Sequence, residues 1–433
     1  MKRILTGVLV LGLLLTLLGC QEAPPAETAP ENEGVTLRIV TTYGGDDGNR
    51  CTFEEAVTEY ERRTGNTVLD NSDTSNENWK ARVMSDFETG SEPDVLFFFT
   101  DADAEPLIRA GKVVSIPEIQ KLYPDYASNM DPDKLPAASD GQCYAVPITG
   151  YWEYLYVNKE VLSACGIPVP GPDYRWEQFL EDCRTIRQAG YTPIACSLSE
   201  VAHYWFEFAV LNNGSAASHG EVPTLDENGH LVDNDTARKW IAALEDIRQL
   251  YEAGFFPANT LTAGDAQTVA MFGEGQAAFL LDGSWKVGFF SENYPDTLEH
   301  YTVCHFPGKG QRETTQTIGG ISTGFFITRR AWEDEQKRQA AVEFVSFLTS
   351  DEVVRNFVTT EITALAVPIP AQGLSPLQQS AANTMAETTQ WVGAVQDRLS
   401  GEARSSLLLH IQNVVSGRLS AHDAVEQAMQ FNK

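Results

Sequence analysis

The 433-residue sequence predicts an α/β fold divided into two lobes. Short apolar segments with strand patterns alternate with amphipathic helical segments, which is typical of α/β proteins. The continuous apolar run at residues 94–100 predicts a strand that is buried on both faces of a central parallel sheet. A chain of this length exceeds one hydrophobic core, and 42% of its residues are hydrophobic, so we expect two cores of ordinary size.

The first twenty residues have the layout of an export signal. Lys2 and Arg3 precede an apolar run at residues 4–18, and Leu17-Leu18-Gly19-Cys20 closes it. About sixteen residues at about 1.5 Å each extend about 24 Å, which is short of the roughly 30 Å of bilayer hydrocarbon. The ending resembles the bacterial lipobox, which implies cleavage after residue 19 and a lipid-modified Cys20. An ordinary secretory signal with an incidental cysteine is the alternative.

Composition narrows the compartment and the partners. Residues 20–34 combine the cysteine with a segment rich in Pro, Glu and Ala, which predicts a flexible linker. The formal net charge of −29 argues against a nucleic-acid partner, because phosphate binding needs clustered Lys and Arg. The other six cysteines match no zinc pattern, so no metal is expected, and their pairing is left open. They are Cys51, Cys143, Cys165, Cys183, Cys196 and Cys304.

Individual elements follow from local patterns. Residues 37–41 alternate in polarity and predict a first strand, and a glycine-rich loop follows at residues 43–48. Thr52 and Glu55 predict a capping box at the start of a helix that ends at Gly65. Further strands are predicted at residues 67–69, 94–100, 144–148, 154–157, 193–196, 301–306 and 325–328, and helices at residues 77–87, 176–189, 203–211 and 235–251. From residue 331 onward the chain is predicted to be nearly all helix.

Several segments, in this order and spacing, carry a family resemblance. They include Asp94-Val-Leu-Phe-Phe-Phe99, Trp176-Glu-Gln-Phe179, Met271-Phe-Gly-Glu-Gly-Gln-Ala-Ala278, Asp282-Gly-Ser-Trp285 and Glu343-Phe-Val-Ser-Phe-Leu-Thr349. Together the segments resemble the extracellular solute-binding family 1, the maltose-binding-protein-like receptors of ABC importers. The resemblance implies the type II periplasmic-binding-protein fold, with two α/β lobes that close on a ligand.

The resemblance also implies how the chain divides. Lobe 1 is expected to comprise residues 35–150 and 321–360, and lobe 2 residues 151–320 and 361–433. We expect the chain to cross between lobes near residues 149–152 and to return near residues 318–322. The resemblance further implies a carbohydrate ligand and the permease subunits of an ABC transporter as partners, with no cofactor and no catalysis. We expect a monomer held at the outer face of the cell membrane by its lipid.

A carbohydrate site calls for carboxylates that accept from hydroxyl groups and for aromatic faces that cover C–H patches. The loops of this chain supply both types. The candidate ligand-binding residues are Tyr43, Asp101, Trp152, Glu153, Trp205, Trp285 and Gly320. Strand alternation sends either Trp152 or Glu153 away from the cleft, and helical geometry allows about one of the three residues 203–205 to face it. Structural roles are the alternatives: Asp101 as a helix cap and Trp285 as a core residue.

An enzyme is the competing functional class. Gly320-Ile-Ser322-Thr-Gly324 formally matches the nucleophile elbow of esterases, which requires a strand before the serine and a helix directly after it. Here a polar segment precedes and a strand is predicted to follow, so the context argues against a hydrolase. A glycosidase would need two carboxylates at a fixed separation, and no motif supports one. A surface scaffold protein would leave the aromatic loops unexplained.

Overall fold

The computed structural model describes residues 34–432 except residues 46, 358–360 and 371. The predicted signal, Cys20 and all but the last residue of the predicted linker lie outside the described residues. Within the described ranges, no helix is both long enough and apolar enough to cross a membrane. The pairing of the six cysteines between residues 51 and 304 was left open by the sequence, and in the structure all six are free thiols.

Strands form where apolar residues alternate or run continuously. The strands are β1 Thr36–Val40, β2 Thr67–Asp70, β3 Val95–Phe99, β4 Ala145–Val146, β5 Tyr151–Asn158, β6 Thr192–Ala195, β7 Ala277–Gly283, β8 Tyr301–Cys304, β9 Gln316–Gly320, β10 Thr323–Ile327 and β11 Gln390–Val392.

Helices separate most of these strands and cover the sheets. The α-helices are α1 Arg50–Thr64, α2 Glu77–Glu88, α3 Glu105–Arg109, α4 Ile116–Ile119, α5 Lys159–Ala164, α6 Trp176–Gln188, α7 Ala202–Asn213, α8 Asp235–Glu252, α9 Asp265–Gly273, α10 Trp285–Asn293, α11 Arg329–Glu333, α12 Glu335–Leu348, α13 Asp351–Phe357, α14 Pro376–Glu387, α15 Gly401–Val415 and α16 Ala421–Met429.

The first sheet has the strand order β2-β1-β3-β10-β4. β1 pairs in parallel with β2 and β3, whereas β10 pairs antiparallel with β3 and β4. β3 is buried on both faces as predicted: Val95 and Phe97 join the core with α1 and α12, while Leu96 and Phe98 join a second core with α2. The sheet is mixed rather than parallel, because β10 returns from the other half of the chain to pair with β3.

The second sheet has the order β11-β9-β5-β7-β6. β5 is antiparallel to β7 along one edge, and along its other edge it pairs first with β9 and then with β8. The two faces of β5 enter different cores. Leu155 and Val157 pack with α6, α7, α8 and α15, and Trp152, Tyr154 and Tyr156 pack with α9, α10 and α14. Residues that alternate along β5 therefore have separate environments.

Three segments that connect the sheets lie side by side. The backbone nitrogen of Gly150 donates to the carbonyl of Ile362 at 2.7 Å, and Tyr151 pairs with Gly320. A Cβ atom on Gly150 would overlap the carbonyl oxygen of Gly320, so a side chain does not fit there. The glycines at these positions therefore allow the connecting segments to approach closely.

Five local features of the structure were predicted wrongly or not at all. The capping box is wrong: α1 begins at Arg50, and Asn49 precedes it with no side-chain cap, so Thr52 lies inside the helix. β9 was not predicted, because its sequence of Gln, Thr and Gly lacks an apolar run. Neither α10 nor the short strand β11 was predicted. Residues 151–153, which were expected in a connecting loop, are the start of β5.

Substitution of Gly150 by Ala tests the close approach. We expect a loss of about 1–3 kcal/mol in the free energy of unfolding, because the added methyl group forces the connecting segments apart. Denaturant unfolding measures this change. Gly401→Ala is the matched control, since a Cβ atom there meets nothing within 4 Å. Equal stability of the Gly150 variant and the parent would show that stability does not depend on the close approach of the connecting segments.

Candidate functional site

Aromatic and acidic side chains from both sheets converge beside the connecting segments. We call Asp101, Tyr151, Glu153, Tyr204, Glu207, Trp285 and Asp397 the central site. Tyr151 lies close enough to Asp397, Glu153 and Glu207 for their charges to act on its hydroxyl. These residues come from the end of β3, from β5, α7 and α10, and from the 3₁₀ turn Val395–Arg398. The fold therefore brings together residues that are almost three hundred positions apart.

Three aromatic rings form one wall of the central site. The ring centroid of Trp285 lies 6.5 Å from that of Tyr151 and 6.1 Å from that of Tyr204. All three side chains are half-buried. The indole of Trp285 rests directly on Gly283, where a Cβ atom would overlap the ring. Glycine at the end of β7 therefore sets the position of the indole.

Four carboxylates form the acidic part of the central site. Asp101 follows β3, where open α/β sheets bind ligands. Glu153 lies on the same face of β5 as Tyr151. Glu207 lies three residues after Tyr204, so both project from one side of α7. The 3₁₀ turn adds Asp397, whose backbone carbonyl accepts from Ala102 at 3.5 Å.

The carboxylates are buried with few partners. The exposed fraction is 2% for Glu153 and 0% for Glu207. Oε2 of Glu153, both carboxylate oxygens of Glu207 and Oδ2 of Asp101 have no hydrogen-bond partner among the described residues. Oδ1 of Asp101 accepts from the backbone nitrogen of Asp103 at 2.9 Å. Buried polar atoms are normally hydrogen-bonded, so unpartnered oxygens indicate a site that a ligand completes.

Burial and repulsion between neighbouring acids raise the pKa values of all four carboxyl groups. Burial, followed by repulsion from Asp397, raises the pKa of Glu153 and of Asp101 well above the usual range. Burial and the charge of Glu153 do the same to the pKa of Glu207. Burial also raises the pKa of Asp397, against the nearby positive charge of Lys80. Without a ligand these acids therefore favour their neutral forms, whereas a ligand that donates hydrogen bonds or carries positive charge would favour their ionised forms.

A salt-bridge network joins the two halves at the edge of the central site. Arg404 on α15 is 1% exposed and contacts Asp103 at 2.8 Å and Glu77 at 3.1 Å. Lys80 contacts the same Asp103 at 2.9 Å. Glu77 and Lys80 lie on α2 beside the first sheet, and α15 packs beside the second sheet, so Arg404 links helices of the two sheets. Asp103 therefore forms ion pairs with both cations.

A second contact region lies on the other side of Trp285. The amide of Asn49 donates to Glu361 at 3.4 Å, and Gly48 packs against Gly288 of α10. Burial raises the pKa of Glu361 to about 7. Burial also raises the pKa of Asp47 to about 6. These acids extend the buried negative charge toward the start of α1.

Three predicted ligand residues lie in hydrophobic cores instead. Trp205 is 2% exposed and packs against Phe179, Phe256 and Phe306, so α7 presents Tyr204 to the central site in its place. Trp152 is fully buried on the opposite face of β5 from Glu153.

The ring of Tyr43 also lies in a core. It is 5% exposed and lies 5.0 Å from Phe53 and 4.9 Å from Phe97. Gly320, by contrast, pairs with Tyr151 next to the central site, and its φ of 150° is one that side chains rarely adopt. Asp101, Glu153 and Trp285 are the predicted residues that the structure brings together.

The sequence did not identify Tyr151, Tyr204, Glu207 and Asp397 as candidate ligand residues, although the structure places them in the central site. One signal was available: Glu207 is the one acidic residue within an otherwise apolar helical run, Trp205-Phe206-Glu207-Phe208-Ala209. An unpaired acid in such a run indicates a functional position. Asp397 gave no comparable signal, because it lies in a polar segment.

The geometry does not form a nucleophile elbow. Ser322 lies between β9 and β10, and the residues that follow it form a strand rather than a helix. Its backbone carbonyl accepts from Thr100 at 2.8 Å. In the described part of the chain, no group of three or more His, Cys, Asp or Glu residues is arranged to hold a metal ion. Aromatic faces and hydrogen-bond acceptors are what the site offers.

Known proteins share this architecture. A family model described as bacterial extracellular solute-binding protein matches residues 50–355. A maltooligosaccharide ABC transporter solute-binding lipoprotein from Streptococcus pneumoniae serotype 4 is 23% identical over 353 residues, covering 78% of this chain and 74% of that protein.

Solved structures agree in fold. A chitin oligosaccharide binding protein has a TM-score of 0.77 at 18% identity, covering 92% of this chain and 98% of that chain. The solute-binding protein RafE in complex with raffinose has a TM-score of 0.73 at 17% identity, covering 91% and 98%. The predicted two-lobed type II periplasmic-binding-protein fold is thereby confirmed.

Removal of the buried cation tests the network around Arg404. We expect Arg404→Met to lower the free energy of unfolding by about 3–5 kcal/mol, because it leaves Asp103 and Glu77 without their buried partner. Chemical denaturation measures the loss. Arg418→Met is the control, since that side chain is exposed. A similar small change in both variants would contradict the role given to Arg404.

The raised pKa values predict how stability depends on pH. Because Glu361 and Asp47 bind protons more tightly in the folded state, these two acids hold more protons in the folded protein than in the unfolded chain between about pH 4.5 and 7. Their contribution to stability therefore falls as pH rises through this window, against the opposite contribution of buried histidines such as His203, whose pKa burial lowers to about 3. We expect Glu361→Gln to remove part of the contribution of the acids, so that its melting temperature rises relative to that of the parent as pH increases. Glu227→Gln, which changes an exposed acid, should keep the slope of the parent, and identical slopes in all three proteins would refute the prediction.

Proposed function

The chain belongs to the family of bacterial extracellular solute-binding proteins, and from this premise we propose that it captures a carbohydrate and delivers it to the permease of an ABC transporter. The observation that carries the proposal is the central site, where an aromatic wall faces buried carboxylates with free acceptor oxygens. Sugars present C–H faces to the first and hydroxyl groups to the second. The names of similar proteins, which mention maltooligosaccharide, chitin oligosaccharide and raffinose, support a saccharide ligand.

The proposed mechanism is closure of two lobes on the ligand. We propose that residues 35–150 and 321–360 form lobe 1, and that residues 151–320 and 361–433 form lobe 2. Asp101 then belongs to lobe 1, and Glu153, Glu207 and Trp285 to lobe 2, so a bound sugar contacts both. Ligand binding shifts an equilibrium between open and closed arrangements. The permease then recognises the surface of the closed arrangement.

The proposal assigns no chemical step to the protein. The family consists of solute-binding proteins, and the serine of the alternative hydrolase lies outside an elbow. We further propose that the chain is exported, that Cys20 carries the lipid, and that the mature protein stays at the outer face of the membrane as a monomer. The lipoprotein name of a relative supports the anchor.

Substitution of Trp285 by Ala tests the sugar site. The variant loses the largest ring of the aromatic wall, so we expect the Kd for a bound oligosaccharide to rise about tenfold or more. Isothermal titration calorimetry of the purified protein with maltooligosaccharides, chitin oligosaccharides and raffinose measures the affinities. Phe431→Ala is the control, because that ring is 47% exposed and lies near the end of the chain.

Two results would reject the proposed function. One is that neither these oligosaccharides nor glucosamine oligomers bind to the parent protein. The other is that the protein cleaves a bound sugar, which chromatography of the titrated mixture would reveal. Binding with equal affinity to the parent and to both variants would instead reject the role of Trp285.

A further inference from the structure

Glu153 and Glu207 are buried acids, and most of their carboxylate oxygens have no partner. Both side chains are almost completely buried, and three of their four oxygens have no hydrogen-bond partner among the described residues. The two carboxylates lie close enough to repel each other. Leaving an ionised carboxylate buried without a partner costs several kcal/mol by general estimates. The ligand is therefore expected to supply the hydrogen-bond donors or the positive charge that the described residues do not.

Three of the described cations nearby already contact acids outside the central site. Lys80 and Arg404 contact Asp103, and Lys286 contacts Asp265 at 3.1 Å and Asp282 at 3.7 Å. The charged groups outside the central site that act on its four acids are Lys80, Asp103, Asp282, Arg398 and Arg404. Three of these five are cations and two are acids, so together they cannot neutralise four ionised carboxylates. Without a ligand, burial and repulsion therefore favour the neutral forms of Glu153 and Glu207, and a positively charged ligand would favour their ionised forms.

Three kinds of partner could meet these oxygens. Hydroxyl groups of a neutral sugar donate hydrogen bonds but bring no charge. A metal ion brings charge, but no described group of three or more His, Cys, Asp or Glu residues is arranged to hold one. An ammonium group brings both a positive charge and three donors. Hydrogen bonds between an ammonium and a carboxylate are about twice as strong as neutral ones.

We propose that the ligand is a saccharide that carries an amino group, and that its ammonium is held by the carboxylates of Glu153 and Glu207. This inference rests on the proposed function, because it specifies the sugar bound at the same site. Asp101 and Asp397 add long-range attraction for the same charge.

The aromatic wall suits such a ligand as well. Tyr151 and Tyr204 are half-buried beside the acids, and burial raises the pKa of both hydroxyls well above the usual range, so the rings stay neutral. Faces of Tyr and Trp attract cations within about 6 Å and also cover sugar C–H groups. An amino sugar therefore uses both parts of the central site, whereas a neutral sugar uses the aromatic part fully and the acidic part incompletely.

The test compares oligosaccharides that differ in one group. Glucosamine oligomers, N-acetylglucosamine oligomers and cello-oligomers of equal length carry an ammonium, an amide and a hydroxyl at the same carbon. Calorimetric titration between mildly acidic and neutral pH covers the range in which the amine is protonated and can pair with the two glutamates. We expect the glucosamine oligomer to bind at least about tenfold more tightly than the other two, as hydrogen bonds to charged groups suggest.

Isosteric variants locate the effect. Glu153→Gln and Glu207→Gln keep the shape of each side chain and remove its charge, and relief of burial should leave both variants at least as stable as the parent in thermal unfolding. We expect each variant to weaken the glucosamine oligomer about tenfold and the cello-oligomer less than about threefold. Glu227→Gln, at an exposed position, should change neither affinity.

The outcomes separate the two proposals. If neutral oligomers bind as tightly as the glucosamine oligomer, the amino-sugar inference is wrong and the proposed carbohydrate function stands. If the amine binds more tightly but both Gln variants retain that preference, the assignment to Glu153 and Glu207 is wrong. If no saccharide of any kind binds, the proposed function fails and the inference fails with it.

Discussion

Ionised carboxylates are costly in a dry interior, and this constraint governs the region between the two sheets. Acids there fall into two groups. Asp103 contacts Lys80 at 2.9 Å and Arg404 at 2.8 Å and has a structural role. Glu153 and Glu207 have unpartnered oxygens although they are buried. Proteins retain such groups where function requires them, so the contrast between paired and unpaired acids separates scaffold from site.

The scaffold keeps this arrangement in place through backbone packing. β5 alternates so strictly that Glu153 faces the central site while Trp152, one residue earlier, lies in a core. Gly150 lets the connecting segments pass in contact, and Gly283 lets the indole of Trp285 lie flat on β7. Small residues at points of close approach thus position large residues next to them.

Strong patterns made most of the fold predictable, and weak patterns account for the misses. β3 and α8 were predictable because a long apolar run and a clear amphipathic face each allow one interpretation. β9 was not, since its partners rather than its composition make it a strand. In the site, Asp-Gly-Ser-Trp identified Trp285, but α7 is apolar nearly all round. Its sequence therefore did not show which side of the helix faces the site, and so did not favour Tyr204 over Trp205.

Repulsion among the central acids, and its relief by a ligand, make the proposed closure depend on ligand binding. Asp101 follows a strand of the first sheet, and Glu153 and Glu207 lie beside the second, so bringing them together without a ligand concentrates like charges at low dielectric. Arg404 acts against this repulsion through Asp103, but at the edge of the site rather than at its centre. A ligand that donates to the central carboxylates removes the repulsion. In the proposed mechanism, closure therefore becomes favourable when the site is filled, because the scaffold alone does not neutralise these acids.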